Sequence, residues 1–112
     1  MCGIFAALSF GPKLNPEPLL KGLASLSARG PDGSSHWFSP EQNVMLGHVR
    51  LAIRDLVGGQ QPLHSQNQRL HAVVNGELYY YTELRQKLER MGYTFQSHSD
   101  SELVLALYHF YG

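Results

Sequence analysis

The chain begins Met1-Cys2-Gly3-Ile4-Phe5, and this start constrains the fold more than any other stretch. Gly3 leads into the apolar run Ile4-Phe5-Ala6-Ala7-Leu8, the pattern of a short buried strand. The chain is therefore expected to enter a sheet almost at once. A small second residue generally permits removal of Met1, which would leave Cys2 at the N-terminus with a thiol and a free α-amine on one residue. The amine titrates at about 7.7–8.0 and the thiol at about 8.5, so at neutral pH the amine can take the thiol proton directly or through a water. That is an activated nucleophile with its base built in, held at a strand end. Those five residues alone leave a plainer alternative open, an incidental thiol near a frayed terminus.

With 112 residues the chain has enough length for one small domain with its own core. Its 43% hydrophobic and 16% charged residues are globular values. Formal net charge is zero and no basic stripe exists, which argues against a nucleic acid partner. No apolar run approaches the roughly 18 residues of a membrane span, and the amino end does not read as a signal peptide. A cytoplasmic setting is expected. The single cysteine excludes an internal disulfide and fits a reducing compartment. His36, His48, His64, His71, His98 and His109 lack metal-ligand spacing and argue against a zinc site. No internal repeat, low-complexity segment or linker divides the chain.

Taken in order, the first strand runs into a Gly11-Pro12 break. Asn15 reads as an N-cap with Pro16 at the first helical position. Leu19, Leu20, Leu23 and Leu26 then mark one face of a helix ending near Ser27, with Gly22 a mild weakness. Arg29-Gly30-Pro31-Asp32-Gly33 is a dense turn. It is either a connector with a solvent-facing arginine or a rigid loop aiming Arg29 or Asp32 at a site or a partner strand. Trp37-Phe38 is expected to begin a second strand, Pro40–Asn43 to form a turn, and Val44–Ile53 to form a longer, mostly apolar strand. Arg50 stands out within it, since an unpaired buried charge is expensive. It either lies on the wet face of a sheet or offers a bidentate fork to a substrate carboxylate.

Gly58-Gly59-Gln60-Gln61-Pro62 reads as a flexible loop or lid, and residues 65–69 as a polar exposed stretch. A strand is expected at Leu70–Val74. Asn75-Gly76 after it is either a hairpin turn or a pair of donors, a side-chain amide and an unobstructed backbone N–H, of the kind an oxyanion hole needs. Thr82 is expected to cap a helix with the face Leu84, Leu88 and Met91, closed by Gly92. Tyr93-Thr94-Phe95 is read as a short strand. Ser99-Asp100-Ser101-Glu102 is read as a capping box ahead of Leu103, Val104, Leu107, Tyr108 and Tyr111. Asp100 is either an acid favoured in a first helical turn or the anion for a substrate ammonium.

Six motifs come in a fixed order: Met-Cys-Gly-Ile-Phe; Arg-Gly-Pro-Asp-Gly; Gly-His-Val-Arg-Leu-Ala-Ile (residues 47–53) with Asp55 after it; Gln-Gln-Pro-Leu (60–63); Val-Asn-Gly-Glu (74–77); and Ser-Asp-Ser-Glu (99–102). Together they resemble the glutaminase domain of the asparagine synthetase family, a class II glutamine amidotransferase. The resemblance covers essentially the whole chain.

It implies an α+β fold, the four-layer αββα sandwich of antiparallel sheets found in N-terminal-nucleophile hydrolases, here only its N-terminal part. It also implies roles. Cys2 would attack the carboxamide of glutamine with its own amine as base, and the side chain of Asn75 with the N–H of Gly76 would hold the oxyanion. Arg50 would bind the α-carboxylate, Glu77 and Asp100 would lie at the α-amino end, and the backbone of Leu51, Ala52, Ile53 and Arg54 would line the pocket. The implied reaction releases ammonia for ATP-dependent amidation of aspartate. Amidation of another acceptor (a sugar, a peptide, a secondary metabolite) and an inactive remnant are the alternatives.

Two departures stand out. Leu78-Tyr79-Tyr80 replaces the usual Ile-Tyr-Asn, and Arg54 replaces an apolar residue. Family domains continue beyond the equivalent of Gly112 into further strands and an ATP-binding synthetase domain, so residues 1–112 are expected to be a partial glutaminase domain. ATP and Mg are expected only for that synthetase domain, with no cofactor in this segment. The expected partners are glutamine and the synthetase domain, with a homodimer left open.

Overall fold

The computed structural model describes residues 2–51 and 60–112. Three strands, Gly3–Leu8 (β1), Gly33–Phe38 (β2) and Val44–Arg50 (β3), form an antiparallel sheet in the order β1-β3-β2. Gly3 stands opposite Val49 and Leu8 opposite Val44, while on the other side of β3 Gly33 faces Arg50 and Phe38 faces Met45. Side chains alternate along each strand, so the sheet has two chemically different faces. One carries Phe5, Ala7, Phe38, Met45 and Val49, packed on Leu19, Leu20, Leu23 and Leu26 from helix Pro16–Ala24 (α1) and the turn after it.

That helix starts as its residues dictate. Asn15 is extended and its side chain accepts the Glu17 N–H at 3.3 Å, with Pro16 next in line. It ends at Ala24, short of Ser27, and gives way to turns in which the N–H of Arg29 reaches the carbonyl of Leu26 at 2.9 Å. Gly22 is a packing requirement more than a weakness, because a Cβ there would stand 2.8 Å from Cε2 of Phe5.

The opposite face turns Trp37 toward a two-stranded antiparallel sheet, Leu63–His64 (β4) and His71–Ala72 (β5). Its indole stacks on His71 with ring centroids 4.0 Å apart. Beyond lies a second core. Leu88 of helix Tyr81–Arg90 (α2) packs on Leu103 and Ala106 of helix Leu103–Tyr111 (α3), with Leu78, Leu84, Tyr93 and Phe95 around them. The result is a mixed α/β chain with antiparallel sheets, as expected.

Several local expectations are corrected. Trp37-Phe38 ends β2 instead of beginning it. The segment after it is a hairpin turn held by Ser39, whose hydroxyl takes the N–H groups of Asn43 and Val44 at 3.1 and 3.0 Å. β3 stops at Arg50; Ala52 and Ile53, assigned to the same strand, and Gly58-Gly59 of the loop lie outside the described residues. Ser65 is buried, not exposed, because its hydroxyl organises the β4–β5 turn and accepts the Leu70 N–H at 3.0 Å. The strand expected at Leu70–Val74 shrinks to two residues.

Tyr93–Phe95 forms no strand. Its aromatic rings pack edge to face at 4.8 Å, the Arg85 guanidinium lies over Phe95, and the N–H of the next residue, Gln96, goes to the Glu102 carboxylate instead of a ladder. Thr82 does not cap α2. The helix follows Tyr80, a left-handed residue at φ 57° that contributes no side-chain cap, and Gly92 closes it at φ 103°. Met91 is half-exposed at the helix end, not part of the packed face.

Candidate active site

The Arg29–Gly33 turn lies over the end of β3. A Cβ on Gly30 would meet the Arg50 nitrogen at 2.4 Å and the Val49 carbonyl oxygen at 2.7 Å, so only glycine lets the two backbones approach this closely. Pro31 forms an isolated parallel bridge with Arg50, and the Asp32 N–H donates to the Arg50 carbonyl at 2.9 Å. Fixed in this way, Arg29 donates from Nε to the carbonyl of Cys2 at 3.3 Å. Both readings of this turn hold in part: Arg29 is exposed, as a connector's arginine would be, and its Nε is nevertheless aimed at the backbone ahead of β1.

Continuing the β1–β3 register by one step sets Cys2 opposite Arg50. The Cys2 thiol is partly buried and sits against Leu51, whose N–H points at Sγ from 3.4 Å and whose carbonyl lies 3.9 Å away. The sulfur is thus held by the backbone of the residue next to Arg50. Arg50 itself is half-buried on the central strand.

A second group of expected site residues gathers around Val74–Leu78. Asn75, Gly76 and Glu77 are exposed, in a segment that is neither strand nor hairpin. Asp100 accepts the Leu78 N–H at 2.9 Å, so it lies beside this segment while also opening the 3₁₀ turn Asp100–Glu102. Ser99 caps that turn by accepting the Ser101 N–H at 3.2 Å. The expected box closes only indirectly. The buried carboxylate of Glu102 accepts the Gln96 N–H at 2.8 Å and the Ser97 hydroxyl at 2.7 Å, and that hydroxyl in turn accepts the Ser99 N–H.

The two groups meet through a residue that sequence reasoning passed over. His48 on β3 is buried beside the backbone of Val74, directly before Asn75. Burial pushes its pKa below the ordinary value of 6.5; the nearby Val74 backbone pushes back and the Arg50 charge pushes down again, leaving a net lowering. Gln61 is the other missed residue. It is buried, not part of a flexible lid; its side-chain Oε1 accepts the Val74 N–H at 2.6 Å, and its carbonyl accepts the Ser35 hydroxyl. A polar residue inside the apolar stretch was the signal for His48, the same signal that singled out Arg50. Gln61 carried none that composition could separate from a loop.

Ala52, Ile53 and Arg54, expected to line the pocket, lie outside the described residues, as does Met1. A shallow cavity of about 240 Å³ opens between residues 65–67 and 92–94, and none of the expected site residues lines it. Among the described residues no group of three or more His, Cys, Asp or Glu could hold a metal, and no helix is long and apolar enough to cross a membrane.

A cysteine at a strand start, gripped by the backbone beside a central arginine, defines a thiol-bearing α/β domain. Its family is shown by comparison: the profile described as "Glutamine amidotransferase domain" matches residues 1–112, and the chain belongs to that family. It is 36% identical to asparagine synthetase [glutamine-hydrolyzing] 1 of Bacillus subtilis, over 99% of this chain and 18% of that protein. Against asparagine synthetase B [glutamine-hydrolyzing] of Escherichia coli identity is 40%, over 96% of this chain and 19% of that protein. Amidase chry2 of Gibberella zeae is 44% identical over the whole chain and 18% of its own length. The chain therefore spans about a fifth of the curated relatives it matches.

Proposed function

We propose that this chain is the nucleophile-bearing part of a glutaminase domain, and that it releases ammonia from glutamine for an acceptor elsewhere in the whole protein. With Met1 removed, the α-amine of Cys2 takes the thiol proton and Sγ attacks the side-chain carbonyl carbon of glutamine. The Asn75 amide and the Gly76 N–H receive the oxyanion, a contribution of about 10²–10³ in rate for each donor. Collapse of the intermediate expels ammonia, which leaves with the proton held by the amine. Water then hydrolyses the thioester to glutamate. Arg50 takes the α-carboxylate, Glu77 and Asp100 take the α-ammonium, and the backbone from Leu51 through Ala52, Ile53 and Arg54 lines the cleft.

The supporting observation is the seat of Cys2, with Sγ 3.4 Å from the Leu51 nitrogen and Arg50 next in the chain, in a sequence that matches the family throughout. The layers α1, three-stranded sheet, two-stranded sheet and α2–α3 are consistent with the first part of a four-layer sandwich. As a partial glutaminase domain, residues 1–112 would work beside a synthetase domain that binds ATP and Mg and converts aspartate to asparagine in the cytoplasm. Similarity to proteins named amidases favours a second reading, the same glutaminase chemistry serving a different acceptor.

An electrophilic glutamine analogue should label Cys2 in the full-length protein, and Cys2→Ala should abolish labelling. Labelling that persists in Cys2→Ala, or an intact mass showing Met1 retained in active protein, would overturn the mechanism.

A further inference from the structure

We propose that Gln61 is a positioning residue for this reaction: its side-chain carbonyl holds the Val74 N–H and so sets where the Asn75 amide and the Gly76 N–H stand. This inference rests on the glutaminase reading above and extends it to a residue of the Gln-Gln-Pro-Leu motif that has no role there.

Gln61 lies just ahead of β4. Carrying the β4–β5 register on by two steps sets it opposite Val74. Pro62, between Gln61 and β4, has no N–H to give to a ladder, so regular pairing does not run on to this step. The side chain makes the link instead, with Oε1 accepting the Val74 N–H at 2.6 Å. The main-chain carbonyl of Gln61 is engaged elsewhere, by the hydroxyl of Ser35 on β2. One residue, 8% exposed, thus presents two acceptors to two partners and ties the loop to the three-stranded sheet.

The loop needs such a tie. Asn75, Gly76 and Glu77 are exposed, and nothing lies within 4 Å of where a Cβ on Gly76 would stand, so packing does not fix the loop at its middle. Its anchors are at the ends: Val74 held by Gln61, and Leu78 donating to Asp100 at 2.9 Å. The first anchor refers back to the sheet that seats the nucleophile. β2, which carries Ser35, pairs with β3, and β3 leads into Leu51, whose N–H points at Sγ from 3.4 Å. Losing the Gln61 oxygen would take the acceptor from a half-buried N–H and free the backbone ahead of Asn75 to turn. A donor displaced by about 1 Å can cost about 100-fold in rate.

The test compares Gln61→Met with Gln61→Glu in the full-length protein. Methionine puts a methyl group roughly where Oε1 stands, whereas glutamate keeps an accepting oxygen there. Glutaminase activity is measured with glutamine alone, per mole of protein shown to be folded by its unfolding transition. Gln61→Met should lower kcat by about 30-fold or more with KM for glutamine within about twofold, because the oxyanion is met only in the transition state. Gln61→Glu should keep kcat within about fivefold of the parent, a rescue that depends on the acceptor and not on the volume filled. Equal kcat values for the Met and Glu variants, or a fall expressed mainly in KM, would overturn the proposal. If either Gln61 variant fails to fold, Ser35→Ala, a change at an exposed position of β2, decides the matter. It should lower kcat by about threefold or more with KM unmoved, and an unchanged kcat would overturn the proposal. Parent protein that releases no glutamate would refute the glutaminase reading itself, and the role of Gln61 with it; an active parent matched by Gln61→Met would refute the role of Gln61 alone.

Discussion

Replacing Gly30 with alanine should destabilise the chain more than any other glycine-to-alanine change around the sheet. The added Cβ would stand 2.4 Å from both the Arg50 nitrogen and the Val49 carbonyl carbon. These are backbone atoms of the central strand and cannot swing aside, so the turn must retreat by about 1 Å to reach ordinary contact distance. That movement carries the Asp32 N–H, now 2.9 Å from the Arg50 carbonyl, out of hydrogen-bond range, and takes Arg29 away from the Cys2 carbonyl. Overpacking of this kind costs about 1–3 kcal/mol, and each lost hydrogen bond about 1 kcal/mol. Alanine returns about 0.4–1 kcal/mol by restricting the unfolded chain. The net loss is about 2–4 kcal/mol, a large share of the roughly 5–15 kcal/mol by which domains are stable. In equilibrium urea unfolding, with a slope of about 2 kcal/mol per molar, the midpoint should fall by about 1–2 M. Two controls sharpen the reading. At Gly76 nothing lies within 4 Å of an added Cβ, so Gly76→Ala should leave stability within about 0.5 kcal/mol of the parent. At Gly22 the obstacle is the Phe5 ring, which can give, and alanine gains about 1 kcal/mol of helix propensity, so that variant should fall between the two. A Gly30→Ala protein as stable as Gly76→Ala would refute the close-approach argument.

Glu102→Ala, which strands the Gln96 N–H and the Ser97 hydroxyl, should cost about 3–5 kcal/mol in the same assay; Glu102→Gln, able to accept only one of them, should cost about half as much. A result in which the two variants are equally stable would count against that pairing. Burial lowers the pKa of His48 and His64 below 6.5, with the neighbouring charges of Arg50 and His71 respectively pushing the same way. As the pH falls below about 6.5 the unfolded chain binds protons that the folded chain does not, so this contribution to stability is full above that pH and is lost on acidification through the lowered values. The urea midpoint should be lower at pH 5.5 than at pH 7.5, and a midpoint that rises on acidification would contradict the shifts. Arg50→Ala should raise KM for glutamine at least tenfold if the guanidinium takes the α-carboxylate as a charge-assisted pair, and an unchanged KM would remove it from that role.

What could be read in advance was local. The strand after Gly3, the Asn15-Pro16 start of α1, its leucine face and Gly92 as a helix end each follow from a few neighbouring residues, and each is present. Misreadings arose where long-range contacts override local preference. Tyr93-Thr94-Phe95 has the composition of a strand, but its rings are drawn into a cluster with Arg85 and the backbone beyond turns to Glu102. Thr82 is a better N-cap than Tyr80 by propensity, yet the packing of Leu84 and Leu88 starts the helix two residues earlier. The site divided in the same way. Cys2, Arg50, Asn75 and Asp100 announce themselves by charge or by unusual neighbours. Gln61 takes the N–H of Val74, thirteen residues on, and His48 is buried beside the same backbone; no spacing along the chain encodes that meeting.

The pairing of Gly3 with Val49 also sets a timetable. At synthesis rates of about 5–20 residues per second, the earliest residues made wait some 2–9 seconds for the strand that will hold them. During that wait the amino end has no ladder to join and stands open to the trimming that the proposed mechanism requires. Strand closure afterwards buries what trimming has exposed, so on the proposed mechanism maturation of the nucleophile and folding of the sheet run in a fixed order.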